Sequence, residues 1–461
     1  WSVPGAAAVV ALLLVAACAD RAPTDPGTED ASAAPALAAS SGRRATADEV
    51  RRLAVEHGIG PMPRAPRVRG SLSRLGRLLA FDKELSGNRD ISCMTCHLPA
   101  LATGDGRSLA IGQGATGAGA DRVHPQGRFI PRNAPPLFNL HLVDHLFWDG
   151  RVFVDAAGDL RTPAGAAVTP GMKAVMTYGA VSAVGLFPVL SRAEMRGETG
   201  ENELADIGDE EPATVWAGVM SRLGAIPAYR RMFEAAYPGT TFDEMNFAHA
   251  SNAIGAFLLD AFVFDNSPWD RFLEGSDAAL TDEQLQGALA FMNAPCASCH
   301  DGPGFSDDAF HNVALAQFGP GEGDGPSGRD DFGRERVTGD PADRYRFRTT
   351  MLRNVELTGP YGHAGQFAEL DRFIDHYSEN ADKLRAYGAD DIPEPLLRGT
   401  LLTDNVDAIL DARDPLILPA VFDERTVRLL TAYMSALTDE RARSLERLVP
   451  RSVPSGLPVD R

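Results

Sequence analysis

Apolar residues return at helical spacing in several stretches of the chain. Leu72, Leu75, Leu78 and Leu79 share one face of a helix. Phe247, Ala250, Ile254, Phe257, Leu258 and Ala261 do the same over a longer run. "TDEQLQGALAFM" opens on Thr281 with Gln284 three residues on, a capping box. Its apolar face, Leu285, Ala288, Leu289 and Met292, runs toward Cys296. Asp423 stands where a cap would precede a helix carrying Val427, Leu430, Met434 and Leu437. Alternating patterns of the kind that mark strands are few. Gly (45) and Pro (32) are plentiful between the periodic stretches. Long loops are therefore expected at 98–135, 155–190 and 301–345. The pattern predicts a mainly α chain with long irregular loops.

With 461 residues the chain exceeds one compact core, so two domains are expected. A boundary near Gly275, after "NSPWDRFLEG", divides an N-terminal unit (46–275) from a C-terminal unit (276–450), with 451–461 as a tail. The net charge of −19 argues against nucleic acid, which needs basic patches. It suits a partner with a basic docking face. Ala6 to Ala17 is an apolar run of signal-peptide length, too short to span a bilayer, and it ends "VAAC" at Cys18. That resembles a bacterial lipobox, with Cys18 as the lipidation site of a segment 1–18. The alternative is an ordinary signal peptide with a chance Cys. No basic region precedes the run and the chain begins at Trp1, as a truncated start would. The Ala/Pro/Ser-rich stretch 19–45 reads as a disordered linker. Export to the periplasm is the expectation, as an outer-membrane lipoprotein held only by its lipid anchor.

Four of the five cysteines fall in two copies of one pentapeptide, "CMTCH" at Cys93–His97 and "CASCH" at Cys296–His300. Cys-x-x-Cys-His is the attachment signature of a c-type haem. The two thiols bind the vinyl groups and the adjacent His supplies the proximal nitrogen. A structural zinc site leaves the His after each second Cys unexplained. A thioredoxin-like motif expects a βαβ context that is missing, and disulfides are the remaining option for an exported chain. The haem reading puts Cys93, Cys96 and His97 on one haem, and Cys296, Cys299 and His300 on the other. Each unit would then carry one covalent haem c.

Further segments carry a resemblance. They are "PRNAP" and "FWDGR" within Pro131–Arg151, "FPVLSRAEM" (Phe187–Met195), "GRERVTGD" (Gly333–Asp340) and "FRTTMLRNVELTGPYGHAGQF" (Phe347–Phe367). In this order, over roughly residues 70 to 440, they resemble the bacterial di-haem cytochrome c peroxidases and the related MauG-type enzymes. The resemblance implies two cytochrome c-like helical domains with one calcium ion between them. It implies that Glu194 is the distal carboxylate of the first haem. Phe147 would crowd that pocket, and Trp148 would relay electrons between the haems. Asn133, Thr358 and Pro360 would ligate calcium, the last two through backbone carbonyls. Tyr377, fourteen residues after His363, stands where the peroxidases carry Met and MauG-type proteins carry Tyr. A phenolate favours ferric iron, whereas a thioether favours ferrous iron. The neighbouring His376 is the alternative ligand.

Two departures bear on the first haem. The loop "AIGQGATGAGADRVHPQGR" has Gln113 where the peroxidases place a ligating His, with His124 further along. Either this haem is open or His124 swings in. No Gln lies between Trp148 and Glu194, where the peroxidases carry one. The function implied is peroxide reduction at the first haem with electron exchange through the second. The donor would be a small cytochrome c or cupredoxin. In the MauG-type version a residue of a partner protein is oxidised instead. A membrane-anchored electron carrier without enzymatic activity is the competing class. The family often dimerises, so a homodimer is expected from the resemblance.

Overall fold

The computed structural model describes residues 47–417 and 421–461. Cys18 and the stretches read as signal peptide and linker lie outside the described residues. Seven described helices reach ten residues. They are α1 (Ala47–Glu56), α2 (Gly70–Phe81), α3 (Pro212–Gly224), α4 (Pro227–Ala236), α5 (Phe247–Ala261), α6 (Asp282–Asn293) and α7 (Glu424–Ala436). Short helical turns and two small antiparallel sheets complete the described structure. One sheet runs β1 (His145–Leu146), β2 (Val152–Val154), β3 (Leu160–Arg161); the other pairs β4 (Phe310–His311) with β5 (Phe347–Arg348).

Two helix crossings organise the chain, and both are made at glycine. α2 crosses α5 at Gly76, where a Cβ would lie 1.7 Å from the Ala253 carbonyl oxygen. α6 crosses α7 at Gly287, where it would lie 2.0 Å from the Leu429 carbonyl oxygen. Only hydrogen lets the backbones approach so closely. The expected caps hold these helices in place. Thr281 accepts from the Gln284 N–H while Gln284 accepts from the Thr281 N–H, and Asp423 accepts from the Thr426 N–H.

Around the first crossing, Leu72, Leu75 and Leu79 meet Ile254 and Phe257, closed by Trp216 and Phe233. Around the second lie Trp269, Phe272, Phe291, Phe305 and Tyr433. Burial of each such side chain stabilises the fold by roughly 1.5–3 kcal/mol.

Packing departs from the sequence expectation in three places. Segment 155–190 is not a bare loop. It holds β3, a helix Pro170–Val175 capped by Thr169, and a helix Ala180–Ala183 packed on α5. Pieces this short cannot display a helical period. α1, drawn with the first unit, gives Val50, Leu53 and Ala54 to the second core, as do Trp269 and Phe272. The second unit is therefore discontinuous in sequence, which a single cut at 275 could not express. The stretch 451–461 is no free tail. Val453 is buried in the first core, and Asp460 accepts from Lys83 Nζ (2.7 Å) and Thr95 Oγ1 (2.5 Å).

The seam between the units is polar. The buried Arg132 guanidinium bonds Asp149 (2.6 Å) on one side and, through two nitrogens, Asp331 (2.7 and 2.8 Å) on the other. Asn133 donates its N–H to the His363 carbonyl, and Arg107 pairs with Glu394 at 2.7 Å. No described helix is long and apolar enough to cross a membrane.

Candidate functional site

The two pentapeptides share one device. Cys93–Cys96 forms a single helical turn, with Ser92 and Thr95 capping each other at its start. His97 follows, and its Nδ1–H donates to the Thr103 carbonyl at 2.9 Å. That carbonyl is brought round by left-handed residues Ala102 (φ 52°) and Thr103 (φ 65°). In the second copy the His300 Nδ1–H donates to the Phe305 carbonyl at 3.0 Å, again from a left-handed residue (φ 57°). In both, the Nδ1–H bond to a carbonyl selects the tautomer whose Nε2 carries the lone pair, as a metal ligand needs. Burial lowers the pKa of both rings, which keeps that nitrogen unprotonated. The four motif cysteines are free thiols, so no disulfide competes for them.

The surroundings of the two motifs differ. Near Cys93 and Cys96, Glu194 sits in a wide turn, Arg192–Arg196, whose N–H groups bond five residues back. Ser191 Oγ accepts from the Glu194 N–H, and Gly197 (φ 94°) ends the turn. Turns of this π type recur at functional sites. Burial raises the pKa of the Glu194 carboxyl above its ordinary 4.5, and Arg151 partly offsets the rise. The Arg151 guanidinium lies 4.1 Å from the Phe147 ring centroid, and Phe187 meets Phe147 edge-on at 6.3 Å.

Phe147 adopts φ 69°. A bulky residue rarely takes this conformation, and such strain clusters at functional positions. Phe147 packs on the first core. The next residue, Trp148, lines the cavity of the second motif and donates Nε1–H to the Asn133 carbonyl at 2.8 Å.

That cavity spans about 1750 Å³, part of it open to solvent. Cys296, Cys299 and His300 line it, as do Phe373, Ile374 and Met434. Free thiols, a poised imidazole and an apolar wall fit a covalently held haem. Tyr377 lines it too, on the helical face it shares with Leu370, Phe373 and Ile374. Burial pushes its phenol pKa up, so the phenolate requires a cation beside it. His376 lies off this face. It is buried, its Nε2 approaches the Val313 carbonyl at 3.0 Å, and burial holds its pKa down to about 4.

Asn133, Thr358 and Pro360 also line the cavity. The Asn133 Nδ2 donates to the Arg107 and Ser108 carbonyls, which leaves Oδ1 for another partner. A free amide oxygen suits a hard cation. Gln113 packs against the Glu194 turn, its N–H donating to the Glu194 carbonyl. Its side chain is engaged by the Asn88 N–H (3.2 Å) and Glu201 (3.3 Å). The His124 Nδ1 accepts from the Gln126 N–H.

Sequence reasoning passed over Arg151 as a neighbour of Glu194, although it closes the "FWDGR" segment. It also passed over the Thr103 and Phe305 carbonyls, whose left-handed backbone carries no residue signature.

Two haem-attachment motifs, each with a pinned histidine, joined through an adjacent aromatic pair, define a di-haem c-type redox protein. The family model described as di-haem cytochrome c peroxidase matches residues 71–278. Cytochrome c551 peroxidase of Pseudomonas aeruginosa is 32% identical over 298 residues, covering 64% of this chain and 68% of that protein. Methylamine utilization protein MauG of Methylorubrum extorquens is 28% identical over 324 residues, covering 70% and 73%. Among solved structures, a MauG-like protein associated with microbial copper homeostasis superposes with a TM-score of 0.58 at 26% identity, over 85% of this chain and 96% of that one. The diheme peroxidase BthA of Burkholderia thailandensis shares the fold, with a TM-score of 0.55 at 21% identity over 86% and 91%.

The chain belongs to the bacterial di-haem cytochrome c peroxidase and MauG family. It is a di-haem peroxidase-like oxidoreductase with two c-type haems.

Proposed function

We propose that hydrogen peroxide reacts on the Glu194 side of the first site and that electrons are exchanged through the second. The observation that carries this reading is the turn at Phe147–Trp148, whose neighbouring side chains serve two different sites. When bound, each haem supplies an iron that exchanges single electrons, with His97 and His300 as proximal ligands. Cys93, Cys96, Cys296 and Cys299 hold the two haems. The Glu194 carboxylate takes a proton from the first peroxide oxygen and returns it to the leaving one. Its half-buried position and raised pKa support this role. Phe147 limits the space on that side. Trp148, an oxidisable indole, relays electrons, and the Asn133 carbonyl orients it.

Tyr377 closes the second site. Its place on the cavity-lining face favours it over His376. A phenolate there favours the oxidised state, which supports a MauG-type destination: oxidation of a residue on a partner protein. The second reading keeps a small cytochrome c or cupredoxin as donor, with peroxide reduced to water. It draws support from the likeness to a cytochrome c551 peroxidase. Asn133, Thr358 and Pro360 would supply oxygens to one calcium ion near the seam. The net charge of −19 fits a basic partner face, and neither reading involves nucleic acid. Export with a lipid anchor at Cys18 and homodimer formation complete the proposal.

The test adds one equivalent of peroxide to the fully oxidised protein while the visible spectrum is recorded. A fast loss of ferric bands without prior reduction supports the MauG-type reading. Reaction only after half-reduction supports the peroxidase reading. Inertness in both states contradicts both.

A further inference from the structure

One wall of the second cavity holds Arg348 and His363, each with one nitrogen that makes no hydrogen bond among the described residues. Arg348, on β5, is half-buried, with 8% of its side chain exposed. Its Nε reaches the Phe147 carbonyl at 3.4 Å and its Nη1 the Thr349 carbonyl at 3.2 Å. Among the described residues its ion-pair partner is Asp308, 3.7 Å away, beyond hydrogen-bond reach. The Asp308 Oδ2 accepts from the backbone N–H groups of Asp144 and His145 and meets the His145 ring, while its Oδ1, the oxygen that faces Arg348, makes no hydrogen bond. Arg348 Nη2 makes no hydrogen bond among the described residues. Burial lowers the Arg348 pKa, as expected of a guanidinium whose counter-charge is incomplete.

His363 stands beside it. The ring stacks on Phe347 at 3.7 Å and 7°, is 3% exposed, and has no partner for Nδ1. Its Nε2 faces Gln366 Nε2 at 3.4 Å, so the Gln366 amide donates and Nδ1 carries the hydrogen. Arg348 and His363 both line the cavity of Cys296, Cys299 and His300. Three other polar groups on its lining are engaged within the protein. His311 bridges Asp307 and Asp414, the Asn312 amide bonds Ile409 and Ala314, and Gln317 bonds the Asp331 backbone.

A buried unpaired donor is costly unless a ligand supplies the acceptor. A haem c is apolar except for two propionate carboxylates, and guanidinium is the side chain best matched to a carboxylate. We propose that Arg348 and His363 form a carboxylate-binding subsite that takes a propionate of the second haem. The inference rests on that haem occupying this cavity. It also gives Arg348 a positioning role. The Arg348 backbone N–H donates to the Trp148 carbonyl (2.8 Å), and its Nε reaches the carbonyl of Phe147. The same residue thereby ties the aromatic pair between the sites to the edge of the second haem.

The test uses the full two-haem protein. Mass spectrometry first counts covalent haems, and spectroelectrochemical titration then follows each haem separately. Arg348→Met removes a positive charge beside the second haem. It should shift that haem's reduced-to-oxidised ratio about tenfold toward ferric, about 59 mV for one electron, and leave the first haem unchanged. Arg348→Lys keeps the charge and should restore most of the ratio. His363→Phe keeps the stack on Phe347, loses the N–H and should move the second haem in the same direction by less. If Arg348 only tethers carbonyls, Arg348→Met leaves the second-haem ratio unchanged, and the subsite is overturned. Should Arg348→Met fail to fold, an unchanged ratio in His363→Phe overturns it equally. A chain carrying a single haem overturns the occupancy reading instead.

Discussion

The two pentapeptide regions are alike on one face and unlike on the other. Both pin the proximal histidine through Nδ1 to a carbonyl of a left-handed residue, Thr103 in one and Phe305 in the other. Both sit beside a helix crossing made at a glycine. Beyond the histidines, the first region offers an acid in a wide turn, Glu194, near its cysteines, while the second offers an apolar cavity faced by Tyr377. The shared half fixes a metal ligand, and the divergent half decides what the metal meets. On the proposed function, the duplicated scaffold supports one site that handles protons and one suited to holding oxidising equivalents.

The strongest break is at the shared half. His97→Ala or His300→Ala should abolish the fast reaction with peroxide, measured by stopped flow. The covalent bonds should still retain both haems, as mass spectrometry would read.

Next comes the acid of the first region. Glu194→Gln should slow the peroxide reaction by about two to four orders of magnitude. The raised pKa also sets a sign. The carboxylate is the working base, so the wild-type rate should fall as pH drops through a value above 4.5, and this limb should vanish in the variant. Tyr377→His breaks the second region alone. It should convert the second-haem spectrum to a low-spin bis-histidine form and leave the first unchanged. An unchanged second-haem spectrum would remove Tyr377 from the ligand set.

Smaller effects sharpen the contrast between seam and scaffold. Asp149→Asn deprives the buried Arg132 of one partner and should destabilise the fold by about 3 kcal/mol, read by denaturant unfolding. Burial alone would raise the Asp149 pKa, but Arg132 and Arg151 hold it down to about 2. Because this lies below the ordinary 3.8, its stabilisation is present at neutral pH and is lost as pH falls toward 2. Gly76→Ala and Gly287→Ala overpack the two helix crossings. Each should cost about 1–3 kcal/mol, the first loosening the α2–α5 unit and the second the α6–α7 unit.

Much of this was legible in the sequence because the signals are local. The haem motifs, the Thr281 and Asp423 caps and the periods of α2 and α5 each lie within a few residues. The place of Tyr377 on the cavity-lining face was legible too, had the period been followed. Leu370, Phe373, Ile374 and Tyr377 share one helical face, and His376 falls off it. What stayed hidden is long-range. α1 joins a core more than two hundred residues away, and Asp460 bonds Lys83 and Thr95. No spacing rule connects such positions. The carbonyls that pin His97 and His300 were invisible because backbone carries no side-chain signature. The unpaired donors of Arg348 and His363 emerge only when a cavity is seen with its partners counted.

The division of labour is tested most directly by the peroxide reaction rate of Glu194→Gln beside the wild type, with both haems confirmed attached. The account predicts a loss of a hundredfold or more at neutral pH, on the usual scale of about two to four orders of magnitude for a general acid–base group. The second-haem spectrum should be unchanged. A wild-type rate in the variant would contradict it, because the first region would then hold no proton-handling group that the second lacks.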